Sequence, residues 1–69
     1  MIKYTAHAHK RKQERVFNHL DVVKTITEGV RLVNRTDPNK WTYVHNDINL
    51  YVVTNKESNI VITLFKKEL

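Results

Sequence analysis

His19-Leu20-Asp21-Val22-Val23-Lys24-Thr25-Ile26-Thr27-Glu28-Gly29-Val30-Arg31-Leu32-Val33-Asn34 contains the change of period that decides the fold. Up to Glu28 the apolar residues Leu20, Val23 and Ile26, with Val22 beside them, recur at helical spacing, while Lys24, Thr25 and Glu28 fall on the other side. Beyond Gly29 the period becomes alternating, which marks the start of a sheet. Asn18 is suited to cap the helix, and Asp21 places a carboxylate in its positively polarised first turn. Gly29 stands where a left-handed C-cap residue is expected. The pattern predicts a helix over His19–Glu28 and a strand over Val30–Asn34.

Downstream, Thr36-Asp37-Pro38-Asn39 is the strongest turn signal, because Pro presets φ and the Asp and Asn side chains bond back to their own backbone. It leads into a strand over Trp41–His45. Asn46-Asp47 then reads as a short hairpin turn, Ile48–Asn55 as a strand, Lys56-Glu57-Ser58-Asn59 as a turn, and Ile60–Phe65 as the last strand. Lys66 to Leu69 reads as a frayed tail. Connections this short make consecutive strands antiparallel neighbours, giving a four-stranded meander.

Alternation places Ile48, Leu50 and Val52 with Ile60, Ile62 and Leu64 on one apolar face, which the His19–Glu28 helix should cover. Asn49, Tyr51, Val53, Val61, Thr63 and Phe65 fall on the other. If Val30 and Leu32 join the apolar face, Arg31 and Arg35 join the second.

Upstream, Met1 to Thr5 reads as extended, with Ile2 and Tyr4 alternating against Lys3, suited to weak pairing at a sheet edge or simply to leading into a helix. Ala6 to Glu14 consists of good helix formers apart from its histidines, and predicts another helix. Only Ala6 and Ala8 are apolar in it, so Tyr4 before it and Val16-Phe17 after it must anchor it. The expected architecture is therefore one α+β domain over residues 1–69, with two N-terminal helices packed on the meander.

With 69 residues the chain suffices for a single core, and a hydrophobic share of 41% argues against disorder. The absence of cysteine excludes a disulfide framework or a zinc ribbon. No apolar run approaches the roughly 20 residues of a membrane span, and no signal-peptide core is visible, so a soluble cytoplasmic chain without membrane partners is expected. The net charge of +5 and pI of about 9.8 favour polyanionic partners. Lys3, Lys10, Arg11, Lys12 and Arg15 face only Glu14 among the first fifteen residues, so the basicity is local.

Successive helical side chains turn by about 100°, which brings His7, Arg11 and Arg15 within an arc of roughly 80°. An imidazole, the side chain most often used for proton transfer, then shares a face with two guanidinium groups suited to bidentate phosphate contacts. Such a run is ordinarily a solvated face, but the shortage of local acids favours an external anion. His7 and His9 point in nearly opposite directions, and no zinc-helix spacing is present, so no metal is expected. His9, His19 and His45 read as surface residues, although His45 lies at a strand end from which it could approach a cleft. Trp41 reads as a core anchor, whereas Tyr51 shares a face with Thr63 and is suited to stacking on bases. With no Gly-rich phosphate loop and no nucleophile elbow, the chemistry left is acid-base work on a phosphate.

His7-Ala8-x-x-Arg11-x-x-x-Arg15, the helix opening at Asn18, Gly29 and the closing Ile60-Val61-Ile62-Thr63-Leu64-Phe65 together resemble small phage and bacterial domains allied to RelE and BrnT toxins, of the barnase, EndoU, colicin and RelE fold group. The resemblance spans nearly the whole chain. It departs from the family at Val16, where a Gly usually follows the second Arg, and at Lys12, where an apolar residue usually follows the first. It implies a RelE-like fold whose open sheet face holds RNA, and a metal-independent, cofactor-free endoribonuclease. His7 is then the acid or base, Arg11 and Arg15 the electrostatic clamp, and Thr63 a hydroxyl positioning the phosphate. Lys10, Lys12, Arg31, Arg35 and Tyr51 complete the expected nucleic-acid surface. RNA is the expected partner, with an antitoxin or host protein as a second. The alternative is a non-catalytic phage or bacterial module that binds RNA or a host protein.

Overall fold

The computed structural model describes residues 2–15, 17–34 and 36–66. Its elements are β1 (Lys3–Tyr4), α1 (Ala6–Glu14), α2 (His19–Glu28), β2 (Val30–Val33), β3 (Lys40–His45), β4 (Leu50–Asn55) and β5 (Ile60–Lys66). The chain is α+β, as expected, but its sheet is five-stranded and mixed, in the order β1-β5-β4-β3-β2. The antiparallel meander β2 to β5 is present, and β1 adds a parallel pairing of Lys3 with Ile60 and Tyr4 with Val61. The expected four-stranded sheet thus gains a fifth, two-residue strand at its edge, within the N-terminal stretch for which weak edge pairing was one of two expectations. Lys66, expected in the frayed tail, belongs to β5; residues 67–69 lie outside the described residues.

The sheet and α1 are joined at Thr5. Its N–H donates to Val61 O at 3.0 Å, and its hydroxyl donates to Ile62 O at 2.8 Å. The same hydroxyl accepts the Ala8 N–H at 3.1 Å, capping α1. β1 pairs with β5 only at Ile60 and Val61, so these bonds lead α1 onto the part of β5 beyond that pairing. Ala8 is the buried residue of the helix, which leaves much of its attachment to the cap and to side chains around it.

Asn18 caps α2, accepting the Leu20 N–H at 2.9 Å, as its position implied. The buried stripe differs from the expected one. Val22 and Thr25 are fully buried, whereas Leu20 is 71% exposed. Thr25 tolerates burial because its hydroxyl donates to Asp21 O at 2.8 Å, leaving no unpaired polar atom. Gly29 also departs from expectation: it is extended, with φ −73° and ψ 171°, not left-handed. Its lack of a side chain serves close approach, since a Cβ there would lie 2.4 Å from Thr25 O and 2.6 Å from Val44 O.

The core joins Ala8, Phe17 and Val22 to Tyr43, Leu50, Val52, Val61 and Leu64. Leu50, Val52 and Leu64 lie on the covered face as expected, but Val61 takes the place foreseen for Ile60 and Ile62. The cause is a bulge in β5. Val53 pairs with Thr63 and its neighbour Thr54 pairs with Val61, so Ile62 is the extra residue and the inward phase shifts by one. The bulged residue supplies the carbonyl that receives the Thr5 hydroxyl.

The other face carries Val30, Leu32, Thr42, Val44, Tyr51, Val53, Thr63 and Phe65, as cross-strand pairing dictates. The expected sorting of β2 is therefore reversed, with Val30 and Leu32 here and Arg31 beside Tyr43 on the covered side. All four β2 residues are exposed, because the strand forms the sheet margin and little packs on it.

Candidate active site

α1 presents His7, Lys10, Arg11 and Glu14, at helical positions i, i+3, i+4 and i+7, around an open depression of about 310 Å³. His7 reaches across to β5, where its Nε2 lies 3.2 Å from the Thr63 hydroxyl oxygen. Which group donates depends on the imidazole tautomer. The structure thus brings together three of the four expected catalytic residues: His7 and Arg11 line one depression, and Thr63 is bonded to His7. Arg15 is the C-cap of α1, its N–H donating to Arg11 O at 3.0 Å, and does not line the depression.

Glu14, which counted only as a lone local acid in the sequence, shares this space. Its carboxylate lies 4.0 Å from Lys10 Nζ, with both side chains largely exposed, so it tempers the positive potential while contributing little to stability. The remaining expected nucleic-acid residues divide. Lys10 is in the depression. Lys12 instead sits 5.4 Å from the centre of the Tyr4 ring, and Tyr4 in turn bonds His19 Nδ1 through its hydroxyl at 2.7 Å. Burial raises the Tyr4 phenol above its ordinary value.

Arg31 is at the far margin of the sheet, three strands from β5, or about 14 Å at ordinary strand spacing. It stacks 4.3 Å over the ring of Trp41, itself packed against the core and donating from its indole N–H to Lys56 O at 3.0 Å. That cation–π contact accounts for Arg31 without an external anion. Arg35 lies outside the described residues.

Tyr51 is on the open face with Thr63, as its register implied, and pairs with Phe65. The two rings stack with centroids 5.0 Å apart and planes 15° from parallel. Phe65 was sorted to this face by alternation but not singled out. The signal that could have found it is its pairing opposite Tyr51 two positions beyond Thr63.

A second depression of about 310 Å³ lies at the C-terminal end of α2, lined by Glu28, Gly29, Val30, Val44, His45, Asn46 and Asp47. His45 is buried and not at the surface, but it lines this depression from its strand end, and its Nδ1 makes no hydrogen bond among the described residues. Among the described residues no three His, Cys, Asp or Glu side chains are grouped to hold a metal ion, here or at α1. No described helix is long and apolar enough to cross a membrane.

No family model, no curated protein and no solved structure matches the chain.

Proposed function

We propose that this chain is a RelE-like, RNA-targeting protein that cleaves RNA without a metal, by attack of a ribose 2′-hydroxyl on the adjacent phosphorus. The observation that carries this reading is the 3.2 Å contact between His7 Nε2 and the Thr63 hydroxyl, beside a depression lined by Arg11 and Lys10. An imidazole, a hydroxyl and a guanidinium group are the functions that such a reaction needs. His7 takes the 2′-hydroxyl proton as the bond from O2′ to phosphorus forms. The bond from phosphorus to O5′ breaks, and O5′ takes a proton from the open, solvated side. The products are a 2′,3′-cyclic phosphate and a 5′-hydroxyl.

Arg11 stabilises the charge that grows on the non-bridging oxygens, and Thr63 holds the imidazole at the phosphate. Lys10 and Lys12 raise the local concentration of RNA. Arg15, outside the depression, contributes attraction more than clamping. Incubating the purified protein with RNA in EDTA tests the reading. Cleavage is expected, falling about 100- to 10,000-fold in His7→Ala, the usual worth of a general acid or base. A protein that leaves RNA intact, or cleaves equally well without His7, refutes it.

The placement of Glu14 among the cations supports a second reading, a non-catalytic phage or bacterial module that binds RNA or a host protein. Salt separates its two forms. Phosphate contacts make affinity fall steeply with ionic strength and weaken in Arg11→Ala, whereas a host protein held on the apolar sheet face tolerates salt.

A further inference from the structure

The open face of the sheet carries an aromatic pair that the fold leaves partly uncovered. Tyr51 on β4 and Phe65 on β5 form a near-parallel stack, with centroids 5.0 Å apart, yet Phe65 remains 42% exposed. A large aromatic side chain left this open offers a ring surface to something outside the fold. Register places Thr63 on the same face, paired with Val53, two positions before Phe65. That spacing is about 7 Å along a strand, comparable to one nucleotide of an extended chain. Thr63 is also the residue whose hydroxyl meets His7, beside the depression that holds Lys10 and Arg11. Through the His7–Thr63 contact the helix that carries Lys10 and Arg11 therefore meets the strand that carries Phe65, with Thr63 and Phe65 about one nucleotide apart along it.

We propose that the Tyr51–Phe65 stack is a base-binding subsite that restricts this protein to single-stranded RNA, seating on Phe65 the base next to the phosphate held at His7 and Arg11. The proposal rests on the RNA reading above and adds the form of the substrate. A duplex keeps its base faces covered by their neighbours, so only an unpaired, splayed base can extend the Tyr51–Phe65 stack. Charge selects the occupant: Lys10 and Arg11 outnumber Glu14 at the depression, which suits a phosphate backbone better than an apolar protein surface. Stacking is indifferent to base identity, so the subsite gives strand-form selectivity with little sequence preference.

The test uses RNA that cannot be cleaved. A fluorescein-labelled octaadenylate carrying 2′-O-methyl groups throughout is titrated, alone or annealed to its 2′-O-methyl complement, with the full chain and with Phe65→Leu, Phe65→Trp and Arg11→Gln. The single strand should bind at least about 10-fold more tightly than the duplex. Phe65→Leu should lose about 5- to 100-fold for the single strand only, the usual range for one stacked base. Phe65→Trp should keep the affinity, and its added indole emission should be quenched on binding. Arg11→Gln should weaken both forms and flatten their salt dependence.

Equal affinity for single strand and duplex, no binding of either, or no effect of Phe65→Leu in a chain with native circular dichroism overturns the proposal. So does a concentration-dependent dimer that dissociates in Phe65→Leu, since the face is then covered by a second copy. Stacking of uncleavable RNA without cleavage of ordinary RNA removes the enzyme reading and leaves this one. Cleavage with no preference for single strands does the reverse.

Discussion

Replacing Thr5 by Val should detach the helix that carries the site while leaving the sheet intact. The Thr5 hydroxyl serves two elements, accepting the Ala8 N–H at 3.1 Å and donating to Ile62 O at 2.8 Å. Val keeps the branched shape and the backbone bond to Val61 but removes both of these interactions. Loss of an N-cap costs about 1 kcal/mol, and loss of a hydrogen bond to a carbonyl costs about 1 kcal/mol more. The total of about 2 kcal/mol corresponds to a fall in Tm of roughly 8–16 °C for a domain of this size. Thr5→Ser keeps the hydroxyl and should stay within about 0.5 kcal/mol of the parent. Urea unfolding followed by circular dichroism measures the energy, and hydrogen exchange locates it. Protection should fall first in the α1 amides and later in β3 and β4. A Thr5→Val chain within about 0.5 kcal/mol of the parent, or one whose exchange rises uniformly, refutes the view that this cap holds α1 to the sheet.

Further outcomes follow from the packing and the titrating groups. Leu64→Ala removes a fully buried core side chain and should cost about 2–5 kcal/mol in urea unfolding. Gly29→Ala, whose Cβ would meet two backbone oxygens at 2.4 and 2.6 Å, should cost about 1–3 kcal/mol despite the ordinary φ there. The Tyr4 phenol is held above its ordinary value of 10.0 by burial, so the fold favours the neutral form. The associated stability is fully present below that ordinary value and is lost as pH rises through the higher folded one. Unfolding curves of the parent and Tyr4→Phe from about pH 8 to 11 should show the parent losing ground at the alkaline end; parallel curves contradict this. Thr63→Val, which removes only the hydroxyl facing His7, should lower RNA cleavage at least about 10-fold with the fold intact. Unchanged rates remove Thr63 from the site.

The parts of the fold visible in the sequence were those with a period or a cap to announce them. The bounds of α2, the Asn18 cap and the meander from Val30 onward carried such signals, while α1 was legible only from its helix-forming residues. β1 was foreseen only as one of two options for the extended stretch before α1, because so short an alternation does not decide between edge pairing and a plain lead into the helix. The bulge at Ile62 was hidden because Ile60-Val61-Ile62-Thr63-Leu64-Phe65 is apolar at nearly every position, so a one-residue slip leaves the pattern almost unchanged. In α2 the adjacent Val22 and Val23 allowed two stripes. The one adopted buries Thr25, a choice made possible by a hydroxyl bond to Asp21 that hydropathy does not weigh.

The site divides on similar lines. Helical spacing is enough to place Arg11 with His7, and Lys10 joins them one turn from His7. Arg15 falls on the same arc, but the helix ends at its position, and the depression does not extend to it. Arg31 was assigned to the open face from the supposed inward direction of Val30 and Leu32, a phase that a fully exposed margin strand does not reveal. Thr63 entered through family resemblance and a shared face with Tyr51, and its approach to His7 is a long-range contact beyond the reach of local pattern.

The most direct test of RNA cleavage by 2′-hydroxyl attack is the chemistry of the products. A single-stranded oligoribonucleotide incubated with the full chain in EDTA should yield fragments ending in 2′,3′-cyclic phosphate and beginning with 5′-hydroxyl, resolved by mass spectrometry. Placing one 2′-deoxyribose at the cleaved position should abolish scission there. Fragments with 5′-phosphate ends, scission that persists at the deoxy position, or RNA left whole contradicts the proposed role of His7, Arg11 and Thr63.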